Sequence, residues 1–179
     1  MIHNKYIVDD RLIRGSKPNF RDIFKLKKEG VSQVLCVTSK PHYQERLACK
    51  LAHIDFVRYK TSITNDQFLN FDDFNNMTDR ILSNKGKTYV HCRNGLHRTA
   101  ECVAAYNMLG KGKSFKEVIF NDMLGKDYFG AKYKPENTKK LEGDSIYTSL
   151  VKKHNKKIYT ALTKSFSNFL KIFKPTNIK

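Results

Sequence analysis

An α/β fold, with a central and mainly parallel sheet flanked by helices, is predicted by three features of the chain. Runs rich in β-branched and other apolar residues recur at 31–38 (VSQVLCVT), 54–59 and 88–90, as buried strands require. Stretches with apolar residues at helical spacing separate them, so helix and strand alternate as in a parallel sheet. Gly, Asn and Asp punctuate the boundaries. With 179 residues and 40% hydrophobic content, the chain suits one domain with a sizeable core.

Residues 6–14 read as two short strands about the Asp9-Asp10 turn. Gly15-Ser16-Lys17-Pro18 then leads to Asn19, which can cap a helix carrying Phe20, Ile23, Phe24 and Leu26 and ending at Gly30. After the strand at 31–38 come a helix over 41–52 and a second strand over 54–59. A longer helix over 65–84 is predicted by the stripe Phe68, Phe71, Phe74, Met77, Ile81 and Leu82, with Thr64 and Gln67 as a capping box at its start. Gly86 ends it. Residues 88–90 form the next strand and 92–98 a loop, and Ala100, Val103, Ala104, Met108 and Leu109 mark the buried side of the helix that follows. Ser114 and Glu117 form a further capping box ahead of Val118, Ile119, Met123 and Leu124. Residues 126–144 are a polar, lysine-rich connection. Asp144 or Ser145 can cap a final helix whose apolar stripe runs from Ile146 through Leu150 and Ile158 to Phe173.

Lys and Arg number 34 against 17 Asp and Glu, a formal net charge of +17. Such an excess attracts polyanions: nucleic acid, anionic lipid or highly phosphorylated small molecules. A scattered surplus of lysine is also what an ordinary solvated surface carries. No apolar run approaches a membrane span, and MIHNKYIVDD lacks the charged and apolar regions of a signal peptide. A soluble protein in the cytoplasm is therefore expected, with at most weak association of the basic final helix with anionic membrane. Cys36, Cys49, Cys92 and Cys102 show no metal-ligand spacing, so neither disulfides nor zinc, nor any other cofactor, is expected in that reducing compartment.

Chemistry concentrates in residues 87–110, KTYVHCRNGLHRTAECVAAYNMLG. Between Cys92 and Arg98 lie Arg93, Asn94, Gly95, Leu96 and His97, a loop whose backbone N–H groups can encircle an anion at a helix N-terminus. Gly95 permits the curl because it takes positive φ without penalty. Cys92 then sits where helix dipole, loop amides and a guanidinium favour thiolate over thiol, which makes it a nucleophile at neutral pH. Arg98 presents a planar fork able to hold two oxygens of a phosphoryl group through the transition state.

Cys-x5-Arg-Thr preceded by His91 and a strand, HCRNGLHRT in this chain, resembles the signature loop of the cysteine-dependent protein tyrosine and dual-specificity phosphatases. The opening hairpin, the turn from Arg14 to Pro18, and the rhythm of Met108, Leu109, Gly112, Ser114 and Glu117 also resemble the dual-specificity-like branch. The likeness spans about residues 5–130 and leaves 131–179 as an extension. It implies a protein-tyrosine-phosphatase-like fold of dual-specificity size and a phosphoric monoester hydrolase working through phosphocysteine. In that scheme Cys92 attacks phosphorus, residues 93–98 bind its oxygens, Thr99 bonds the cysteine sulfur and His91 orients the loop. No metal takes part.

Enzymes of this family carry a general-acid Asp close behind the preceding strand, where this chain has Lys60, Thr61, Ser62 and Ile63. The first acid is Asp66, read either as the proton donor or as a charge in the first turn of the helix over 65–84. Asp72 and Asp73 are weaker candidates, and Lys60 can contact substrate. The basic Arg93 and His97 within the loop make it similar to the inositol pyrophosphate branch of plants and fungi. An inositol polyphosphate or phosphoinositide phosphatase is thus the alternative to a phosphatase of phosphorylated protein. An RNA 5′-triphosphatase and a pseudophosphatase that only binds its ligand are further alternatives; nucleic acid is not favoured, since no base-stacking groove is legible.

Overall fold

The computed structural model describes residues 1–40, 42–61, 69–118 and 171–172, the side chains of residues 97, 115 and 116 excepted. In chain order the elements are β1 (Tyr6–Ile7), β2 (Leu12–Gly15), α1 (Phe20–Lys28), β3 (Val31–Thr38), α2 (Tyr43–Leu51), β4 (Asp55–Lys60), α3 (Phe71–Ser83), β5 (Lys87–His91), α4 (His97–Ala105), a π-helical turn (Tyr106–Gly110) and α5 (Phe115–Val118). The five strands form one sheet in the order β1-β2-β5-β3-β4. β2, β5, β3 and β4 run parallel, and β1 closes the edge as the antiparallel arm of the opening hairpin. The parallel strands therefore end along one edge, where open α/β sheets bind their ligands.

Helices cover both faces, and the strand sequences show why. Leu12, Leu35, Val37, Tyr59 and Val90 pack with Phe74, Met77, Ile81, Ala100 and Val103 of α3 and α4. Their neighbours Ile13, Val34 and Tyr89 point the other way, against Ile23 and Leu26 of α1 and Ala48 and Cys49 of α2. Alternate residues thus feed two cores, which is why these strands read as continuous apolar runs. Cys36, Cys49, Cys92 and Cys102 are all buried and unbridged.

Asn19 caps α1 as expected, in a reciprocal box with Asp22. The helix expected over 65–84 instead begins at Phe71. Asn70 accepts the amide of Asp73, and the Asp73 carboxylate accepts the amide of Asn70, so the capping box lies six residues beyond Thr64 and Gln67, which fall outside the described residues. Leu69, just ahead of the box, is buried without being helical, so burial begins before the helix does. The helix after the loop also ends differently, in the π-helical turn. Tyr106 in that turn donates to the Asp9 carboxylate at 3.1 Å, and Lys111 pairs with the same group. The connection at 126–144 and nearly all of the final helix lie outside the described residues; Ile172 packs against the core on the α3 and α4 face.

Replacing Asn70 by alanine removes one half of the α3 box. The expected loss is about 1 kcal/mol, read as a fall of about 2–4 °C in thermal midpoint.

Candidate active site

β5 delivers Cys92 to the ligand-binding edge, and residues 92–96 turn from the strand into α4. What shapes this turn is the fate of its carbonyl groups. The Arg93 carbonyl accepts from the Lys17 amide at 3.1 Å, and that of Asn94 from Asn4 Nδ2 at 2.9 Å. Arg14, 1% exposed, donates Nη2 to the carbonyls of Gly95 at 2.8 Å and Leu96 at 3.2 Å. A trans peptide holds its N–H opposite its C=O, so carbonyls tied outward aim the following amides into the hollow of the loop. Gly95 has φ +71°, and a Cβ there would overlap the Gly15 carbonyl and the Ser16 amide. Only glycine lets the loop press this closely on the end of β2.

Cys92 is almost wholly buried. Burial pushes its thiol up, but the Thr99 hydroxyl, the Arg98 charge and the amides of Thr99 and Gly95 outweigh it, and the net shift is downward. The buried Thr99 Oγ1 has no nitrogen or oxygen partner among the described residues, which leaves the cysteine sulfur as its polar neighbour. The contrast with the other thiols is instructive. Burial, then Glu45, raises Cys49 to about 12, and burial with Glu101 raises Cys102 well above its ordinary value. The same desolvation acts on all three, and only Cys92 has donors to reverse it.

His91 is fully buried behind the loop. Its Nε2 lies 2.6 Å from Oε1 of the equally buried Glu45 on α2, and its Nδ1 lies 3.0 Å from the Cys92 carbonyl oxygen. Burial opposes the charged imidazole, but Cys36 and Glu45 prevail and lift it to about 10. The ring is therefore an imidazolium at neutral pH, with both nitrogens donating. Cys36, His42 and Glu45 also place their donor atoms within 4.8 Å of one another, a set that could gather a metal ion. The positive fields of Lys17 and Arg58, which act on His42, oppose a cation there.

Arg98 is half-buried at the start of α4, and its Nη1 donates to Thr61 Oγ1 at 2.9 Å. Thr61 follows β4, whose last residue, Lys60, is exposed beside it. The structure thus brings together Cys92, Arg98, Thr99, His91 and the backbone of 93–97. Arg93 and Asn94 are exposed at the rim, while Leu96 is the N-cap of α4 and His97 opens it, its side chain outside the description. Asp66 lies outside the described residues. Asp72 and Asp73 occupy the first turn of α3, and Asp73 serves the cap. Sequence reasoning missed Glu45, Thr61, Asn4 and the Lys17 amide, none of which stands at a motif spacing. Arg14 carried a signal, as part of the turn from Arg14 to Pro18.

A thiolate-favouring cysteine in an amide-lined loop between a parallel strand and a helix, with an arginine in the first turn of that helix, defines a cysteine-based phosphatase of the protein tyrosine and dual-specificity superfamily. Residues 11–112, more than half the chain, match the family model described as "Polymorphic toxin system, DSP-PTPase phosphatase", and the chain belongs to that family. Solved structures share the fold. TpbA of P. aeruginosa aligns over 93% of this chain and 91% of its own at 15% identity, with a TM-score of 0.59. PTPMT1 in complex with PI(5)P aligns over 83% and 97% at 19% identity and 0.59, and Tk-PTP in its active form over 77% and 93% at 15% and 0.58. No curated protein matches the sequence significantly. Among the described residues no helix is long and apolar enough to cross a membrane.

The Glu45–His91 pair gives a pH signature. His91 is raised above its unfolded value of about 6.5, so the pair's stabilisation is complete below that pH and is lost as pH rises through about 10. Glu45→Gln should remove it: denaturant midpoints of the two proteins should differ most at about pH 6 and converge in alkali. In the same variant burial leaves the imidazole neutral, the positive charge behind Cys92 is lost, and the acid limb of kcat/KM should move to higher pH.

Proposed function

We propose that this phosphatase hydrolyses phosphoric monoesters through a phosphocysteine at Cys92. The observation that carries the reading is the downward shift of a buried thiol inside a loop whose carbonyls are all tied outward. Cys92 Sγ attacks phosphorus as the ester P–O bond breaks, and the departing oxygen takes a proton from a carboxylic acid. Arg98 holds two of the phosphoryl oxygens, and the inward amides of 94–97 meet the rest. Water, giving a proton to the carboxylate left by the first step, then attacks phosphorus, the P–S bond breaks, and inorganic phosphate leaves. Thr99 stabilises the returning thiolate, while Thr61 keeps the Arg98 fork in place between turnovers. His91, fixed by Glu45, orients the loop.

We assign the proton donor to Asp66. The helix-charge role that competed for it on α3 is filled by Asp72 and Asp73, which removes the reason to place Asp66 there. Its substrates are phosphorylated protein or polyphosphorylated small molecules, with Lys60 and Arg93 at the rim to receive them. Both classes suit the fold: TpbA has been solved in complex with pTyr and PTPMT1 in complex with PI(5)P.

The protein should hydrolyse an activated aryl phosphate without added metal and be inhibited by vanadate. Cys92→Ser should abolish turnover yet retain phosphate binding, because the amide-lined hollow remains; undiminished turnover in that variant would overturn the mechanism. Arg98→Lys should lose activity by orders of magnitude, since a point charge cannot replace a bidentate fork.

Asp66→Asn should slow hydrolysis of an alkyl phosphate by about 10²–10⁴-fold while sparing an ester whose leaving group needs no proton. Equal effects on the two esters, measured side by side, would exclude Asp66 as the donor.

A further inference from the structure

On the sheet face that carries α2, beside the catalytic loop, a pocket of about 230 Å³ is lined by His42, Tyr43, Arg46, Phe56 and Arg58. Among the described residues no acidic side chain lines it, and its cations are short of partners there. Arg46 is exposed, and its guanidinium has no ion pair or hydrogen bond among the described residues. Arg58 donates Nη2 to the Ser39 carbonyl at 2.8 Å, but its Nε is shielded from solvent and has no acceptor there. A buried N–H without an acceptor is destabilising, and a turn of the guanidinium into the pocket would let an incoming oxyanion satisfy it.

The backbone adds to this. His42 is the N-cap of the nine-residue α2 and makes no side-chain cap bond, so the positive end of the helix stays open beside the pocket. Glu45 is the acidic residue of the first turn, and it is turned inward to His91. Burial, more than any charge, holds the His42 imidazole below its ordinary value; Lys17, His91 and Arg58 act in the same direction and Glu45 acts the other way.

The pocket connects to the catalytic loop along two routes. Phe56 packs toward α1 and α2 while Val57 and Tyr59 pack toward α3 and α4, so Arg58 and Lys60 alternate onto the Phe56 face of β4. Thr61 comes next and holds Arg98. From Arg58 to Thr61 the strand rises about 10 Å. On the other flank, Lys17 acts on His42 and its amide ties down the Arg93 carbonyl.

We propose that this pocket is a second anion subsite of the phosphatase, in which Arg46, Arg58 and the α2 N-terminus hold a second phosphate of the substrate whose first phosphate lies over Cys92. The ligand class is a small compound or short peptide carrying two phosphates, with Tyr43 and Phe56 as apolar walls for the group between them.

The proposal rests on the phosphatase reading above, and the test separates the two. Cys92→Ser protein is titrated by calorimetry at fixed salt with myo-inositol hexakisphosphate, with a doubly phosphorylated peptide, and with inorganic phosphate. Adding Arg46→Ala and Arg58→Met, the second of which keeps an apolar stem, should weaken at least one polyphosphate about tenfold or more. Inorganic phosphate affinity should stay within about twofold, as should kcat/KM of the otherwise native enzyme on para-nitrophenyl phosphate. Selective loss on the inositol compound or on the peptide names the substrate class, and loss on both marks recognition of the second phosphate alone. Equal weakening of all three ligands, or of none, would overturn the subsite. Should the double change prevent folding, Arg46→Ala alone suffices, and an unchanged affinity for both polyphosphates would overturn the subsite. Failure of the native enzyme on the aryl phosphate would sink the phosphatase reading instead and leave the binding comparison intact.

Discussion

Everything at the ligand-binding edge depends on holding four successive carbonyls away from the substrate. A loop left to itself would present carbonyl oxygens and amides to an anion in roughly equal measure. Here Asn4, Arg14 and the Lys17 amide take the carbonyls of residues 93–96, and what remains facing inward is a set of N–H donors. The partners lie 76 to 90 residues away in sequence, just before the opening hairpin, on it and in the turn behind it. The hairpin is therefore part of the catalytic apparatus, although it contributes no group that touches substrate.

The same economy governs charge. A buried arginine below the loop, an imidazolium behind it and a guanidinium at its mouth surround one sulfur atom. Each of these cations would be unfavourable alone in the interior, and each is held by carbonyls, a carboxylate or a hydroxyl. Glu45 matters most in this respect because it is a full counter-charge. Without it, desolvation would neutralise His91, and the loop would lose a donor as well as a charge.

How much of this was legible from the chain follows from where the information resides. The strand at 31–38 matches its expected bounds, since a strand buried on both faces must be apolar throughout. The helix read over 65–84 overshoots α3 because Phe68 stands at helical spacing from Phe71 in the sequence, and periodicity reports burial without reporting backbone conformation. Cys92, Arg98 and Thr99 could be named because the loop chemistry is contiguous. Glu45, Thr61, Asn4 and Arg58 could not, because each reaches its place only through the register of one element against another. Thr38 pairing with Lys60 in the sheet is what places Thr61 beside Arg98, and no local pattern encodes that pairing.

The π-helical turn has a similar reach. Such a turn is an α-helix carrying one extra residue, and that residue turns everything after it by about 100° relative to an uninterrupted helix. Tyr106 and Lys111 both converge on Asp9 across this turn. Wound as a regular α-helix, the same residues would leave Lys111 swung about a quarter-turn off target. The hairpin bend would lose an anchor, and the bend leads directly into Arg14. The pitch of one turn at the far end of α4 thus bears on the anion site without involving any residue of the signature loop.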